Sequence, residues 1–219
     1  MSSSLPAHMP FLVVLSSPSG AGKTSICRAC VSADRRLAYS VSVTTRAPRK
    51  GERDGRSYHF VSPARFRQMV RRHALLEYAR VYGHDYGTPR APVLANFRAG
   101  RDVIADLDIQ GMRACKKTLP GTVGVFITVP DSAELDRRLR ARAADSPDEL
   151  ARRRNELRTE LAAIPDFDYL VVNDSLDRAV ADVLAIIHAE RLRTTRWRRK
   201  HLLRPLPPCR SAAESRKGV

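Results

Sequence analysis

A run of five apolar residues, Phe11-Leu12-Val13-Val14-Leu15, leads straight into Ser17-Pro18-Ser19-Gly20-Ala21-Gly22-Lys23-Thr24, and that junction leaves little freedom in how the chain starts to fold. A continuous apolar run bounded by Ser and Pro suits a strand buried on both faces, which calls for a parallel sheet. The turn matches GxxxxGK[ST] at every fixed position but the first, where Ser17 stands in place of Gly. Gly20 and Gly22 let the backbone point N–H groups inward around phosphate oxygens, at the start of a helix whose dipole also favours negative charge. Ser19, Gly20, Ala21, Gly22, Lys23, Thr24 and Ser25 are therefore the expected phosphate cradle. Lys23 is expected to reach the β- and γ-phosphates of a nucleoside triphosphate, and Thr24 to offer its hydroxyl to Mg²⁺.

Short β-branched runs followed by helical stretches recur at 103–107, 123–129 and 169–172. Strands alternating with helices predict an α/β fold of the P-loop NTPase type, a parallel sheet flanked by helices on both faces. Ile104-Ala105-Asp106 ends one of these strands on a carboxylate, where it is expected to hold the metal through water. Residues 39–100, rich in Tyr, Arg, Pro and Gly, read as an inserted substrate-binding lobe. Residues 135–161 are helical in pattern and loaded with arginine, interrupted around Asp145-Ser146-Pro147, and read as a lid. The first ten residues lack periodicity and are expected to be disordered, with Met9 a second candidate start. From 192 to 219 the chain is Arg-, Lys- and Pro-rich with no apolar period and reads as a basic tail. What lies between, residues 11–191, is expected to form one domain.

The excess of 39 Lys+Arg over 23 Asp+Glu gives a formal charge of +16, which favours a polyanionic partner. A nucleic acid satisfies charge alone, but no helix-turn-helix, zinc-finger or RNP pattern supports that reading. Cys27, Cys30, Cys115 and Cys209 form no disulfide framework and no zinc-binding pair of knuckles, so a reducing cytoplasmic setting is expected. Cys27 and Cys30, on the helix after the cradle, read as buried small hydrophobes. No apolar run approaches the ~20 residues that span a bilayer.

The segment Ser40-Val41-Ser42-Val43-Thr44-Thr45-Arg46-Ala47-Pro48-Arg49-Lys50-Gly51-Glu52 sets two arginines three apart on a turn held by Pro48, a two-pronged grip for one phosphate. Tyr58 adds a hydroxyl donor. This stretch resembles the SVSxTTRxPRxGExxGxxYxF pattern of the guanylate kinases. The likeness continues through Glu77, Tyr86-Gly87-Thr88, Asp106-Leu107-Asp108-Ile109-Gln110-Gly111, the lid arginines and Val171-Val172-Asn173-Asp174, covering roughly residues 11–191. The resemblance implies Mg²⁺-dependent phosphoryl transfer from ATP to GMP, and to dGMP, in purine nucleotide metabolism. It also implies that the inserted lobe binds GMP.

By the same resemblance, Arg46, Arg49, Tyr58 and Tyr86 hold the GMP phosphate while Ser42, Glu77, Thr88 and Asp108 read guanine. The chemistry agrees: a carboxylate accepts only, matching the N1–H and N2–H₂ donors of guanine, and hydroxyls donate to O6. Arg138, Arg142 and Arg153 match the lid arginines brought onto the triphosphate, and Asn173 matches a position near the adenine of ATP. Ala141 and Ala143 replace the glycines of the family's lid pattern, as Ser17 replaces that of the cradle. Two rivals follow from the same residues. One is a kinase for another nucleoside monophosphate, against which Ser42, Glu77 and Asp108 argue. The other is a guanylate-kinase-like module that binds protein partners without catalysis, against which Lys23, Thr24 and Asp106 argue.

Overall fold

The alternation of side chains along β1 (Leu12–Ser16) decides the architecture. All five residues are buried, and successive ones point to opposite faces. Leu12 and Val14 enter one apolar cluster, Val13 and Leu15 the other. A strand buried on both faces needs a covering layer on each. The computed structural model describes residues 8–18, 21–81, 83–131, 137 and 159–197. In it, β1 is the middle strand of a five-stranded parallel sheet ordered β2-β7-β1-β8-β9, with β2 at Leu37–Tyr39, β7 at Asp102–Asp106, β8 at Val123–Thr128 and β9 at Tyr169–Val172.

One face is covered by α1 (Lys23–Ala33) and the C-terminal α5 (Leu176–Leu192), which bring Ile26, Cys27 and Cys30 against Ala179, Val183 and Ile187. The other is covered by α3 (Arg90–Arg98) and α4 (Ile109–Thr118), through Val93, Met112 and Cys115. The cysteines Cys27, Cys30 and Cys115 are buried free thiols, and desolvation pushes the Cys30 thiol up to about 11. Register pairs Leu15 of β1 with Asp106 of β7. Because every strand of the sheet runs the same way, the ends of β1 and β7 and the start of α1 share one edge, where ligands bind in open α/β sheets. Among the described residues no helix is long and apolar enough to cross a membrane.

A second sheet, ordered β4-β3-β6-β5, stands beside that edge. It is built from β3 (Val43–Thr44), β4 (His59–Phe60), β5 (Leu75–Val81) and β6 (His84–Pro89), with α2 (Pro63–Arg71) between β4 and β5. Its own core is small: Val43, Phe66 and Leu75. The antiparallel β5–β6 pairing sets Glu77 opposite Thr88. Gly87 is required there, since a Cβ at that position would lie 2.8 Å from Leu75 Cδ1 and 3.0 Å from the Glu77 carbonyl oxygen. The lobe expected at 39–100 thus corresponds to a sheet spanning 43–89. Tyr39 belongs to the main sheet, and α3 packs against β7 as a covering helix.

The packed chain extends further at both ends than expected. His8 Nε2 lies 2.8 Å from the fully buried Asp102, which also accepts from Arg191 Nε at 2.7 Å. The Met9 N–H donates to the Arg196 carbonyl at 2.7 Å, and Arg196 donates to the buried Glu190 at 2.7 Å and sits over the Phe11 ring at 3.9 Å. The expectation of disorder through residue 10 is therefore corrected for His8–Pro10, and the start of the tail moves from 192 to beyond Arg196. Both stretches are held by polar contacts to buried acidic side chains and backbone, which carry no apolar period for a sequence to display. Residues 1–7 and 198–219 lie outside the described residues.

Candidate active site

The starts of α2, α4 and α5 are capped by the side chains of Ser62, Asp108 and Ser175, whereas α1, like α3, has no side-chain cap; α1 differs from α3 in opening behind a left-handed glycine, Gly22, where α3 opens behind the extended Pro89. The first N–H groups of α1 are left for an external acceptor, with the helix dipole behind them. Gly22 adopts φ 96°, a left-handed conformation suited to glycine, and a Cβ there would lie 2.7 Å from Asn173 Nδ2. That amide donates to the Ala21 carbonyl at 2.7 Å, so the end of β9 holds the cradle from behind. Asn173 is buried, and its amide is engaged with the cradle backbone.

Ser17, the departure from the glycine pattern, turns its hydroxyl onto the Pro18 carbonyl at 2.8 Å and stays buried. Lys23 Nζ donates to the Ser17 carbonyl at 2.8 Å. Burial lowers its ammonium below the ordinary lysine range, with Asp106 as the largest opposing influence. Thr24 Oγ1 donates to Asp106 Oδ2 at 2.7 Å. The other oxygen, Oδ1, accepts from Tyr39 OH at 2.5 Å. Burial first, then the Asp106 carboxylate, raise the Tyr39 phenol far above its ordinary value and keep it a donor. A hydroxyl and a carboxylate beside a lysine are hard oxygen donors of the type Mg²⁺ takes, usually one or two from protein and the rest from phosphates and water. Ser25 is exposed on α1 one residue further on, while Ser19 and Gly20 lie outside the described residues.

The second cluster is assembled by side chains. Arg46 gives Nε to Tyr86 OH at 3.2 Å and a fork to Glu52, NH1 to Oε2 at 3.0 Å and NH2 to Oε1 at 2.8 Å. Its guanidinium lies 5.5 Å from the Tyr58 ring centroid, and the Tyr58 and Tyr86 rings meet edge-on at 5.9 Å. Glu52 also accepts from the Arg49 N–H at 2.7 Å, tying the turn together, while the Arg49 side chain is exposed. Pairing with Arg46 holds the Glu52 carboxyl below its usual range, and the same fork raises Arg46.

Beyond it, Glu77 is 7% exposed and accepts from Thr88 Oγ1 at 2.6 Å. Asp108 caps α4 by accepting from the Gly111 N–H at 2.7 Å. Gly111 lies between the two carboxylates: a Cβ on it would be 3.1 Å from Glu77 Oε2 and 3.2 Å from Asp108 Oδ1. Burial chiefly, with the nearby Asp108 adding to it, pushes the Glu77 carboxyl up to about 7, against the Thr88 hydrogen bond. Ser42 is buried at the entry to β3, its carbonyl accepting from the His59 N–H at 2.8 Å. Two carboxyl groups and the Thr88 hydroxyl thus lie together, a set suited to a base that presents several donors and one acceptor.

The structure therefore brings together Lys23, Thr24 and Asp106 in one cluster, Arg46, Tyr58 and Tyr86 in a second, and Glu77, Thr88 and Asp108 in a third. Arg138, Arg142 and Arg153, with Ala141 and Ala143, lie outside the described residues. Two participants escaped the sequence reading. Glu52 was visible in its motif but carries no label as a partner of Arg46, and Tyr39 meets Asp106 only through the pairing of β2 with β7.

A family model described as guanylate kinase matches residues 9–190. The chain is 49% identical over 198 residues to the guanylate kinase of Rhodospirillum rubrum, covering 89% of this chain and 91% of that protein. It is 45% identical over 190 residues to the guanylate kinase of Caulobacter vibrioides, covering 86% and 89%. Among solved structures, the crystal structure of guanylate kinase from Anaplasma phagocytophilum matches with a TM-score of 0.74 at 29% identity, covering 88% of this chain and 92% of that one.

Proposed function

The chain belongs to the guanylate kinase family, and from that premise we propose how its clusters divide the work of moving a phosphoryl group from ATP to GMP. The activity is that of an ATP:GMP phosphotransferase, giving ADP and GDP. The open start of α1 and Lys23 bind the phosphates of ATP, Lys23 meeting charge that grows on the oxygens between donor and leaving group. Thr24 and Asp106 would hold Mg²⁺, which would neutralise phosphate charge when bound.

Arg46, with Arg49, Tyr58 and Tyr86, holds the phosphate of GMP as the acceptor. That phosphate, with a second pKa of about 6, is largely ionised at neutral pH, so its oxygens attack without a general base. Catalysis is then positioning and charge stabilisation. Glu77 accepts from guanine N1–H and N2–H₂ with Asp108 beside it, and Thr88 and Ser42 give their hydroxyls to O6, the Thr88 proton turning from Glu77 Oε1 to O6 as the base enters. The lid assignments of Arg138, Arg142 and Arg153 and the adenine-side assignment of Asn173 rest on the family resemblance. For Asn173, the bond to Ala21 supports an added duty of shaping the cradle. One domain with a GMP-binding lobe and a lid, working in the cytoplasm on ATP and on GMP or dGMP, is the organisation this reading carries.

The observation that carries it is the buried Glu77 carboxyl paired with Thr88, two residues along β6 from the Tyr86 that receives Arg46. A buried acceptor left without a donor is penalised, so this site rewards guanine and rejects adenine, which offers an acceptor at N1. A coupled ADP-release assay with GMP, dGMP, AMP, CMP and UMP tests it. GMP and dGMP should be turned over with kcat/KM on the order of 10²-fold or more above the others. Comparable turnover of AMP would overturn the base assignment.

A further inference from the structure

The Asp106 carboxylate receives one hydroxyl on each oxygen, and only one of the two donors has a place in the reading above. Thr24, from the first turn of α1, donates to Oδ2 at 2.7 Å. Tyr39 donates to Oδ1 at 2.5 Å. Tyr39 is the last residue of β2, paired in register with Ile104 on β7, two residues before Asp106. Its ring packs against the apolar cluster that holds Ile26, Cys27 and Ile104, so the hydroxyl is delivered from a fixed support. The chain then leaves the main sheet, with the Ser40 N–H donating to the Ile104 carbonyl at 2.9 Å, and enters the acceptor lobe at Ser42 and β3.

A carboxylate on a single Cβ turns about a broad, roughly two-fold torsion, so position alone does not aim its oxygens. One donor on each oxygen removes that freedom. We infer that Tyr39 is a positioning residue for ATP-linked metal binding: its hydroxyl holds Asp106 at Oδ1 so that Oδ2 stays with Thr24 and the pair is preset for the divalent cation. This rests on the assignment of Thr24 and Asp106 as the metal-facing oxygens. Tyr39 itself touches neither nucleotide nor metal in this scheme and acts through Asp106. Groups that orient metal-facing residues from behind are worth about 10–100-fold in metal affinity.

Tyr39→Phe keeps the ring and its packing and removes only the hydroxyl. The full-length protein is titrated with Mn²⁺ in the presence of ADP, following loss of the free Mn²⁺ signal by electron paramagnetic resonance, and ADP binding is measured calorimetrically with Mg²⁺ and with EDTA. Tyr39→Phe should weaken Mn²⁺ binding to the ADP complex about tenfold, leave ADP affinity in EDTA unchanged and leave the KM for GMP unchanged. The Mg²⁺ concentration for half-maximal rate should rise in step. Thr24→Val is the reference. If Thr24→Val loses Mn²⁺ while Tyr39→Phe binds it as the parent does, the role of Tyr39 is overturned and the metal assignment stands. If neither substitution affects Mn²⁺, the metal assignment fails and the inference with it. If Tyr39→Phe weakens ADP equally with and without metal, the hydroxyl shapes the cradle and the inference is likewise overturned.

Discussion

The two halves of this active site are made by different means. In the proposed donor half the helix start is uncapped, so its backbone N–H groups face outward, and backbone carbonyls hold Lys23 (on Ser17) and Asn173 (on Ala21), with side-chain pairing confined to Thr24 and Tyr39 on Asp106. It stands on strands buried on both faces. In the acceptor half the contacts run from side chain to side chain, Arg46 to Glu52 and Tyr86, Thr88 to Glu77, on a small sheet with a core of three buried residues. A backbone cradle binds any polyphosphate, since every residue has an N–H. Telling guanine from adenine needs polar side chains removed from water, and these carry an energetic penalty until the right partner arrives. The perturbed Glu77 carboxyl, pushed up to about 7, lies in the half proposed to be selective.

If the donor half works through charge that moves during transfer, Lys23→Met should show the largest loss. A fall in kcat on the order of 10³-fold in a protein with an unchanged circular dichroism spectrum is expected. Near-parental turnover would detach the cradle from the chemistry. The next largest effect belongs to the acceptor half. Glu77→Gln preserves shape but turns one acceptor oxygen into a donor NH₂ facing guanine's donors, and should lower kcat/KM for GMP by about 10²-fold, with the KM for ATP hardly changed. Steady-state kinetics with both substrates varied decides it. An unchanged GMP-to-AMP ratio would move base reading to Ser42, Thr88 and Asp108.

The same contrast explains what was legible in the sequence. The donor half is written locally: an apolar run, a glycine turn, Lys and Thr lie within fourteen consecutive positions, Phe11 to Thr24. The strands at 103–107, 123–129 and 169–172 were equally plain, and the structure holds them at Asp102–Asp106, Val123–Thr128 and Tyr169–Val172. β2 was not legible, because Leu37-Ala38-Tyr39 is three residues long and owes its place to pairing with β7. Partners set by sheet order were invisible for the same reason. Tyr39 and Asp106 are 67 positions apart and Asn173 and Ala21 are 152 apart. Glu52 is near Arg46 in sequence, yet a charged turn of that kind reads as solvated surface until the fork is seen. The His8 hydrogen bond to Asp102 and the Arg196–Glu190 ion pair leave no periodic trace.

Glu52→Gln sets two consequences of the Arg46 fork against each other. The substitution removes one negative charge beside the phosphate site, which strengthens attraction for GMP. It also leaves the guanidinium with one neutral acceptor in place of a bidentate anion, so Arg46 is held less firmly. Affinity depends mainly on net charge and phosphoryl transfer on geometry, so the two should separate. The KM for GMP should stay within about threefold while kcat falls about tenfold, since small losses of alignment are expensive in the transition state. Equal losses in the donor and acceptor KM values would indicate general destabilisation, and a thermal melt of the unliganded variant distinguishes that case.

The smallest expected effect is one of pH, and it separates the halves most cleanly. In the free protein burial holds Glu77 near 7. Only the ionised carboxylate has both oxygens free to accept from N1–H and N2–H₂, so bound guanine favours the charged form and draws the pKa down. Binding below pH 7 must first remove a proton; above it no such step is needed. The Glu77 contribution to GMP affinity should therefore increase by somewhat under tenfold between pH 6 and pH 8 and level off beyond, with fractional proton release on binding that is largest below pH 7. Ionisation of the GMP phosphate, with a second pKa of about 6, contributes roughly twofold over the same range. Guanosine lacks that phosphate, so its binding isolates the Glu77 part. Calorimetry in buffers of different ionisation enthalpy counts the protons directly. In Glu77→Gln the slope should shrink to the phosphate contribution. The ADP site has Lys23, whose ammonium is lowered by burial and loses rather than gains attraction as pH rises, so ADP affinity measured in excess Mg²⁺ should not increase from pH 7 to pH 8, where GMP affinity is still rising. Parallel pH slopes for guanosine in the parent and in Glu77→Gln would mean that Glu77 is not the group that meets the base.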